Sequence, residues 1–147
     1  MILFTFANYL TIEGMLKHFI NKYPVSSTFI LLIWVLSLVP FFPDTPLDNV
    51  KFIDKWTHLA MYGGTCTVMW WEYLSRHRHR DWRRIFLYLI IAPIVMGGVL
   101  ELLQAYCTFG RRSGEWLDFV ANTTGVFLAT VVGLVLSGRL RPKDKKD

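Results

Sequence analysis

Apolar residues dominate four stretches of the chain, and polar residues gather near the ends of these stretches. A helix needs about 18 to 20 apolar residues to cross the hydrocarbon core of a bilayer. The four stretches are residues 25–42, 56–73, 85–106 and 117–137. They predict an all-α fold in which residues 1–147 form one domain, a polytopic membrane four-helix bundle.

Local signals mark the ends of two of these helices. Pro40 and Pro43 are expected to end the first helix, because proline removes a backbone donor and clashes with the preceding turn. Trp70 and Trp71 lie near the end of the second stretch, where aromatic rings suit the membrane–water interface. We therefore expect both tryptophans to anchor that helix end at the interface.

The first 20 residues are apolar only in patches, which Glu13 and Gly14 interrupt. They lack the basic start and the small-residue cleavage site of a signal peptide. We predict a helix that lies at the membrane interface. The alternative is a translation start at Met15, in which case residues 15–22 are a basic leader to the first membrane helix.

The composition agrees with a membrane protein, since 53% of the residues are hydrophobic, more than one soluble core of this size needs. The net charge of +5 arises mainly from Lys17 and Lys22, from the arginines of residues 76–84, and from the tail of residues 138–147. All three regions lie on one side of a four-helix topology, as the positive-inside rule requires. We therefore expect a multi-pass protein of the cell (inner or cytoplasmic) membrane with both termini in the cytoplasm, and no nucleic-acid partner.

Unusual polar residues occur in three of the four helices. Asp54, His58 and Tyr62 recur at every fourth position and share one helix face. Glu101 lies in the third apolar stretch, where an unpaired carboxylate costs several kcal/mol. The topology brings this face, Glu101 and the start of the fourth helix to the outer leaflet, and Lys55 or Arg112 is the expected countercharge of Glu101.

Small residues predict close helix contacts. Pro93, Gly97 and Gly98 precede Glu101 and indicate a kink or a close contact, with a moving hinge as the alternative. In the fourth helix, small side chains recur every four residues, at Ala121, Gly125, Ala129 and Gly133. The simplest interpretation is packing within the chain, and the alternative is a homodimer formed through Gly125, Ala129 and Gly133.

The spacing of the polar residues resembles a known family. The motif consists of Asp54-Lys55-x-x-His58-x-x-x-Tyr62, then Glu101-x-x-Gln104, then Arg112 followed by Asp118-x-x-x-Asn122-x-x-Gly125. It is similar to the signature of the VanZ-like membrane proteins, which are named for an accessory protein associated with teicoplanin resistance. The resemblance spans about residues 54–133 and implies a small polytopic envelope protein, while it implies little about chemistry.

These side chains suit the binding of an amphipathic or zwitterionic molecule. Lys55 and Arg112 can pair with anionic headgroups, and the carboxylates can accept hydrogen bonds from amines and hydroxyls. We predict that an envelope lipid, a lipid-linked precursor or a glycopeptide binds at the outer leaflet and alters envelope homeostasis or teicoplanin susceptibility. The predicted binding residues are Asp54, Lys55, Tyr62, Gln104, Arg112, Asp118 and Asn122.

Two other interpretations remain open. One is an enzyme that hydrolyses or transfers a group on a lipid-linked substrate, with His58 and Glu101 as its acid and base. The other is a structural partner of a second membrane protein. A divalent metal held by Asp54, His58, Glu101 and Asp118 is less favoured, because local two-ligand spacing is absent and two cations compete nearby. We therefore predict neither a metal nor a cofactor.

Overall fold

The computed structural model describes residues 12–39, 52–77, 79–107 and 115–139. These residues form five helices, which we label α1 (Ile12–Lys22), α2 (Pro24–Leu38), α3 (Ile53–Arg76), α4 and α5 (Trp116–Arg139). Helix α4 is a continuous run made of Trp82–Arg84, a π-helical segment Ile85–Ile91, and Ala92–Cys107. The all-α prediction is confirmed for this part of the chain. The expected stops at Pro40 and Pro43 lie outside the described residues.

Helices α3 and α5 run parallel and make the most extensive contact in the molecule. Gly63 and Gly125 let the two backbones approach, since a Cβ on Gly125 would lie 2.7 Å from the Leu59 carbonyl oxygen. Nearer the C-terminal ends of the two helices, a Cβ on Gly133 would overlap the ring of Trp70. The small-residue ridge of α5 therefore packs within the chain, as predicted. A homodimer through the same ridge stays a prediction.

Trp70 is fully buried, so the expectation that it anchors the interface is wrong. The neighbouring Trp71 is 52% exposed, since adjacent helix residues point about 100° apart, and it keeps an outward position. The reason is the ridge, because Gly133 leaves room for an indole ring between α3 and α5. The core around Trp70 includes Tyr62, Cys66 and Val126.

The widened turn of α4 precedes Pro93. Ala92 donates its backbone N–H to the Leu87 carbonyl, five residues back, which is the π-helical pattern. Because Pro93 has no N–H and its ring crowds the preceding turn, a wider turn before it relieves the crowding. The Pro93, Gly97 and Gly98 region also forms close contacts, since a Cβ on Gly97 would lie 3.4 Å from both Asn122 Cβ and the Tyr62 hydroxyl.

Two helices are long and apolar enough to cross a membrane, over Trp82–Tyr106 in α4 and Trp116–Gly138 in α5. These helices indicate a membrane protein. Helices α1 and α2 pass the same test only as a pair, and they are bent by 113° at their junction. Helix α3 is long enough but carries many glycine, threonine and aromatic residues, which lower its hydropathy. Crossing by α2 and α3 therefore stays a prediction.

A buried carboxylate closes the start of α2. Glu72 of α3 accepts hydrogen bonds from the Ser26 backbone N–H at 2.8 Å and from the Ser26 hydroxyl at 2.7 Å. Arg76 donates to the same carboxylate at 3.1 Å. The N-terminus of a helix has free N–H groups and a partial positive charge, so a carboxylate there is stabilising. This contact fixes α2 against the C-terminal half of α3.

The two ends of the bundle differ in charge. One end, which we call the basic end, carries six cations among the described side chains against three carboxylates, Glu13, Glu72 and Asp81. Its cations are Lys17, Lys22, Arg76, Arg80, Arg83 and Arg84. Arg80 donates to the Ser137 carbonyl and so joins this end to the last turn of α5. The opposite end holds the remaining described charges.

Candidate functional site

The end opposite the basic end brings together polar side chains from three helices. Parallel α3 and α5 both begin there, and antiparallel α4 ends there. We call this set the polar cluster, and its members are Asp54, Lys55, His58, Glu101, Glu115, Asp118 and Asn122. Six of the residues that the sequence predicted to converge therefore meet here: Asp54, Lys55, His58, Glu101, Asp118 and Asn122.

Lys55 is the centre of the charged part of the polar cluster. Its ammonium nitrogen lies 2.5 Å from Glu115 Oε2, 2.9 Å from Asp118 Oδ1 and 3.2 Å from Asp54 Oδ2. Burial alone lowers the pKa of Lys55, but its hydrogen bonds to the three carboxylates outweigh burial and raise the pKa above its ordinary value. Lys55 therefore stays charged throughout the physiological range.

The inner part of the cluster is a hydrogen-bonded chain of His58, Asn122 and Glu101. His58 Nδ1 lies 3.1 Å from Asn122 Oδ1, and Asn122 Nδ2 donates to Glu101 Oε1 at 3.1 Å. The other Glu101 oxygen accepts the Glu115 backbone N–H at 3.3 Å. His58 also has carboxylates at 3.7 Å (Asp54 and Glu101) and 4.0 Å (Asp118). The side chains of His58, Asn122 and Glu101 are all buried.

The expected pairing of Glu101 with Lys55 is wrong. Among the described residues, Lys55 pairs with the carboxylates of α5 and with Asp54, while Glu101 contacts His58 and Asn122. The reason is depth, because Lys55 precedes His58 by almost one helical turn and so meets the very start of α5. Arg112, the other expected countercharge, lies outside the described residues.

Two predicted site residues have other surroundings. Gln104 is buried and donates its amide to the Ser37 carbonyl at 2.8 Å, so it joins α4 to the end of α2. Tyr62 is buried one turn below His58, next to Gly97. Its hydroxyl has no hydrogen-bond partner within the described part of the chain. The polar cluster thus continues inward to an unsatisfied hydroxyl.

The carboxylates of the polar cluster differ in whether a helix macrodipole stabilises their negative charge. Asp54 lies in the first turn of α3, Asp118 lies in the first turn of α5, and Glu115 immediately precedes α5. Negative charge is stabilised at these positions by the helix macrodipoles. Glu101 lies almost two turns before the C-terminal end of α4, where no helix N-terminus of its own stabilises a negative charge. Glu101 is therefore the carboxylate whose presence helix electrostatics does not explain.

Sequence reasoning missed Glu115 and Glu72. The signal for Glu115 was its place directly before an apolar run, since acidic residues are typical of helix N-termini. The signal for Glu72 was its unusual position, since an acidic residue near the C-terminal end of a helix is unfavourable. Both signals are local, but the partners of these two residues, Lys55 and Ser26, are distant in the sequence.

Three members of the cluster have the donors of a metal site. One ligand atom each from Asp54, His58 and Asp118 lies within 4.8 Å of the others. Carboxylate and imidazole donors suit a divalent cation. The Lys55 ammonium already pairs with both aspartates, so a metal ion would have to displace it. The arrangement is therefore better described as a site that holds an ammonium group.

No family model, curated protein or solved structure matches this chain. The resemblance to the VanZ-like proteins thus rests on the motif residues themselves. Most described members of that motif belong to the polar cluster, Gly125 supplies the close approach of α3 and α5, and Gln104 contacts Ser37 of α2 instead.

Proposed function

We propose that this chain is a multi-pass membrane protein that binds an amine-bearing amphiphile at the polar cluster. The candidate ligands are an envelope lipid, a lipid-linked envelope precursor and a glycopeptide of the teicoplanin type. Binding would act on envelope homeostasis or on susceptibility to such a drug. The observation that carries the proposal is the excess of carboxylates, some buried and some exposed, that converge around one lysine.

The charge balance favours a cationic group on the ligand. The cluster contains four carboxylates and one ammonium group. Two helix N-termini contribute about half a positive charge each and the C-terminus of α4 about half a negative charge, so the described residues leave an excess of about two to three negative charges. A primary amine supplies both the positive charge and the N–H donors that carboxylates accept.

The outer part of the cluster is exposed. The side chains of Asp54 and Glu115 are 49% and 45% exposed, whereas that of Asp118 is 4% exposed. An amine can therefore meet the two exposed carboxylates first, with the buried residues and the unpaired Tyr62 hydroxyl beyond them. This gradient supports a binding site that opens outward.

The difference in charge between the two ends of the bundle supports a membrane topology. We propose that α2, α3, α4 and α5 all cross the cytoplasmic membrane, with the basic end and both chain termini in the cytoplasm. Helix α1, bent sharply from α2 and exposing Met15, Leu16 and Ile20, would lie at the cytoplasmic interface. The polar cluster then faces the outer leaflet, where envelope precursors and drugs are encountered.

The test is lipid binding by the purified full chain in nanodiscs. The chain is expected to retain phosphatidylethanolamine, which carries a primary amine, in preference to phosphatidylcholine, whose quaternary nitrogen has no N–H. Asp54→Asn combined with Glu115→Gln should weaken this preference about tenfold or more, because two charged acceptors are lost. Soluble teicoplanin is titrated in a parallel arm to distinguish a drug from a lipid.

The matched control is Asp81→Asn combined with Glu13→Gln. It removes one aspartate and one glutamate from exposed positions at the basic end, with the same change in net charge. This control should bind like the parent chain. Equal losses in the two double variants, or equal retention of the two lipids, would contradict a specific amine site and leave the cluster with only a structural role.

An enzyme is the second candidate, because His58 lies among three carboxylates and is hydrogen bonded through Asn122 to Glu101. Such a histidine can move a proton during hydrolysis or group transfer on a lipid-linked substrate. Glu101→Gln and His58→Gln should each lower turnover about 100-fold or more, while the exposed His79→Gln should not. Release of phosphate from lipid-linked phosphates is the measurement, and an inert parent chain would exclude this candidate for those substrates.

A further inference from the structure

A second recess lies at the basic end, far from the polar cluster. It is a cavity of about 440 Å³ between α1 on one side and α3 and α4 on the other, and we call it the α1 cavity. This volume is within the range of small-molecule sites, about 300 to 1,000 Å³. We infer that the α1 cavity binds the phosphate-bearing headgroup of an anionic phospholipid from the leaflet at the basic end.

The charges around the cavity favour an anion. Lys22 and Arg84 line it, and none of the described lining residues is acidic. Arg84 pairs through Nε with Asp81 at 3.1 Å, which leaves its terminal Nη groups to donate elsewhere. Lys22 lies 5.5 Å from the centre of the Tyr23 ring, a contact that leaves its N–H donors available. Phosphate oxygens match these donors.

A buried hydroxyl in the wall also lacks a partner. Tyr73 of α3 lines the cavity, is 5% exposed, and its hydroxyl has no hydrogen-bond partner among the described residues. Its ring stacks on His77 at 4.3 Å, so its orientation is fixed by packing. A buried donor without an acceptor costs about 1 to 3 kcal/mol. A ligand oxygen that displaces the packing around Tyr73 and reaches this hydroxyl would satisfy it.

The rest of the wall is apolar, which favours a lipid over a free anion. Phe19, Met69 and Leu89 supply apolar surface beside the cations. Helix α1 also exposes Leu16 and Ile20, which do not line the cavity and suit an interfacial helix. The cavity therefore offers donors for a phosphate and, next to them, a surface for the first part of an acyl chain.

The experiment is native mass spectrometry of the purified full chain with added phosphatidylglycerol or phosphatidylcholine. We expect phosphatidylglycerol to bind more tightly than phosphatidylcholine. Lys22→Gln combined with Arg84→Gln should weaken phosphatidylglycerol binding about 30-fold, since each basic residue near the surface contributes about 1 kcal/mol, which is about fivefold. Tyr73→Phe, which removes only the hydroxyl, should weaken it about fivefold.

The matched control is Lys17→Gln combined with Arg83→Gln, two exposed basic residues on the same helices that do not line the cavity. It should bind phosphatidylglycerol like the parent chain. An equal loss in this control would overturn the inference in favour of general attraction to a basic surface. Displacement of the lipid by inorganic phosphate at low millimolar concentration would also overturn it, because the site would then recognise the free anion.

Discussion

Gly125→Ala is expected to lower the melting temperature of the protein by about 10 °C. The new Cβ would lie 2.7 Å from the Leu59 carbonyl oxygen and 2.8 Å from the Gly63 backbone nitrogen. Both are backbone atoms of α3, so no side-chain rotation relieves the overlap. The helices must separate, and overpacking of this kind costs about 3 kcal/mol.

The separation would also disturb the polar cluster. Lys55, His58 and their α5 partners, Asp118 and Asn122, lie on the same α3–α5 interface as Gly125. A shift of α5 away from α3 therefore lengthens the contacts that hold the cluster together. We expect the Gly125→Ala protein to lose preferential binding of phosphatidylethanolamine together with stability.

Gly64→Ala is the matched control for this experiment. Gly64 lies in the same stretch of α3, and a Cβ there meets no atom within 4 Å. Because alanine is favoured over glycine in a helix by about 1 kcal/mol, this variant should be as stable as the parent or slightly more stable. Thermal unfolding in detergent, followed by circular dichroism, gives the comparison. Equal melting temperatures for the two variants would refute the close α3–α5 contact.

Lys55→Met is expected to destabilise the fold by about 3 kcal/mol at neutral pH. The substitution keeps much of the side-chain volume but removes the ammonium group that pairs with Asp118, Glu115 and Asp54. Asp118 is then a buried carboxylate without a cation, and breaking a buried ion pair from one side costs about 3 to 5 kcal/mol. The exposed partners lose little, because water screens them.

A second substitution tests the mechanism. Adding Asp118→Asn to Lys55→Met removes the unpaired charge and should restore most of the lost stability, since the two residues form one interacting pair. The control, Lys17→Met, breaks an exposed pair with Glu13 on α1 and should change stability by less than about 0.5 kcal/mol. If Lys55→Met melts like Lys17→Met, a different cation neutralises Asp118.

The positions of the helices could be predicted from the sequence. The stretches of residues 56–73, 85–106 and 117–137 correspond to α3, α4 and α5, and residues 25–42 overlap α2. Local hydropathy and proline placement determine such runs, because they decide whether a segment can form a helix without exposing backbone to lipid. The sequence also predicted that polar residues converge at one end. Successive antiparallel helices alternate in direction, so the starts of α3 and α5 lie beside the end of α4.

The partners of the polar residues could not be predicted in the same way. Spacing shows which residues share a helix face, but it leaves open which neighbour that face meets. Gln104 shares a face with Glu101, yet it contacts Ser37 of α2 while Glu101 contacts Asn122 of α5. Trp70 and Trp71 are adjacent, yet one is buried and the other exposed.

The sequence by itself thus determined that this is an all-helical chain with membrane-length helices, one basic end and one end with concentrated carboxylates. Only the tertiary structure decided that Lys55 belongs to Asp118 and Glu115, that Glu101 belongs to His58 and Asn122, and that Glu72 closes the start of α2. For the first two of these, the physical reason is the close approach at Gly63 and Gly125, which sets the depth and rotation of α3 against α5. Those two quantities depend on packing between distant segments, and no local pattern encodes them.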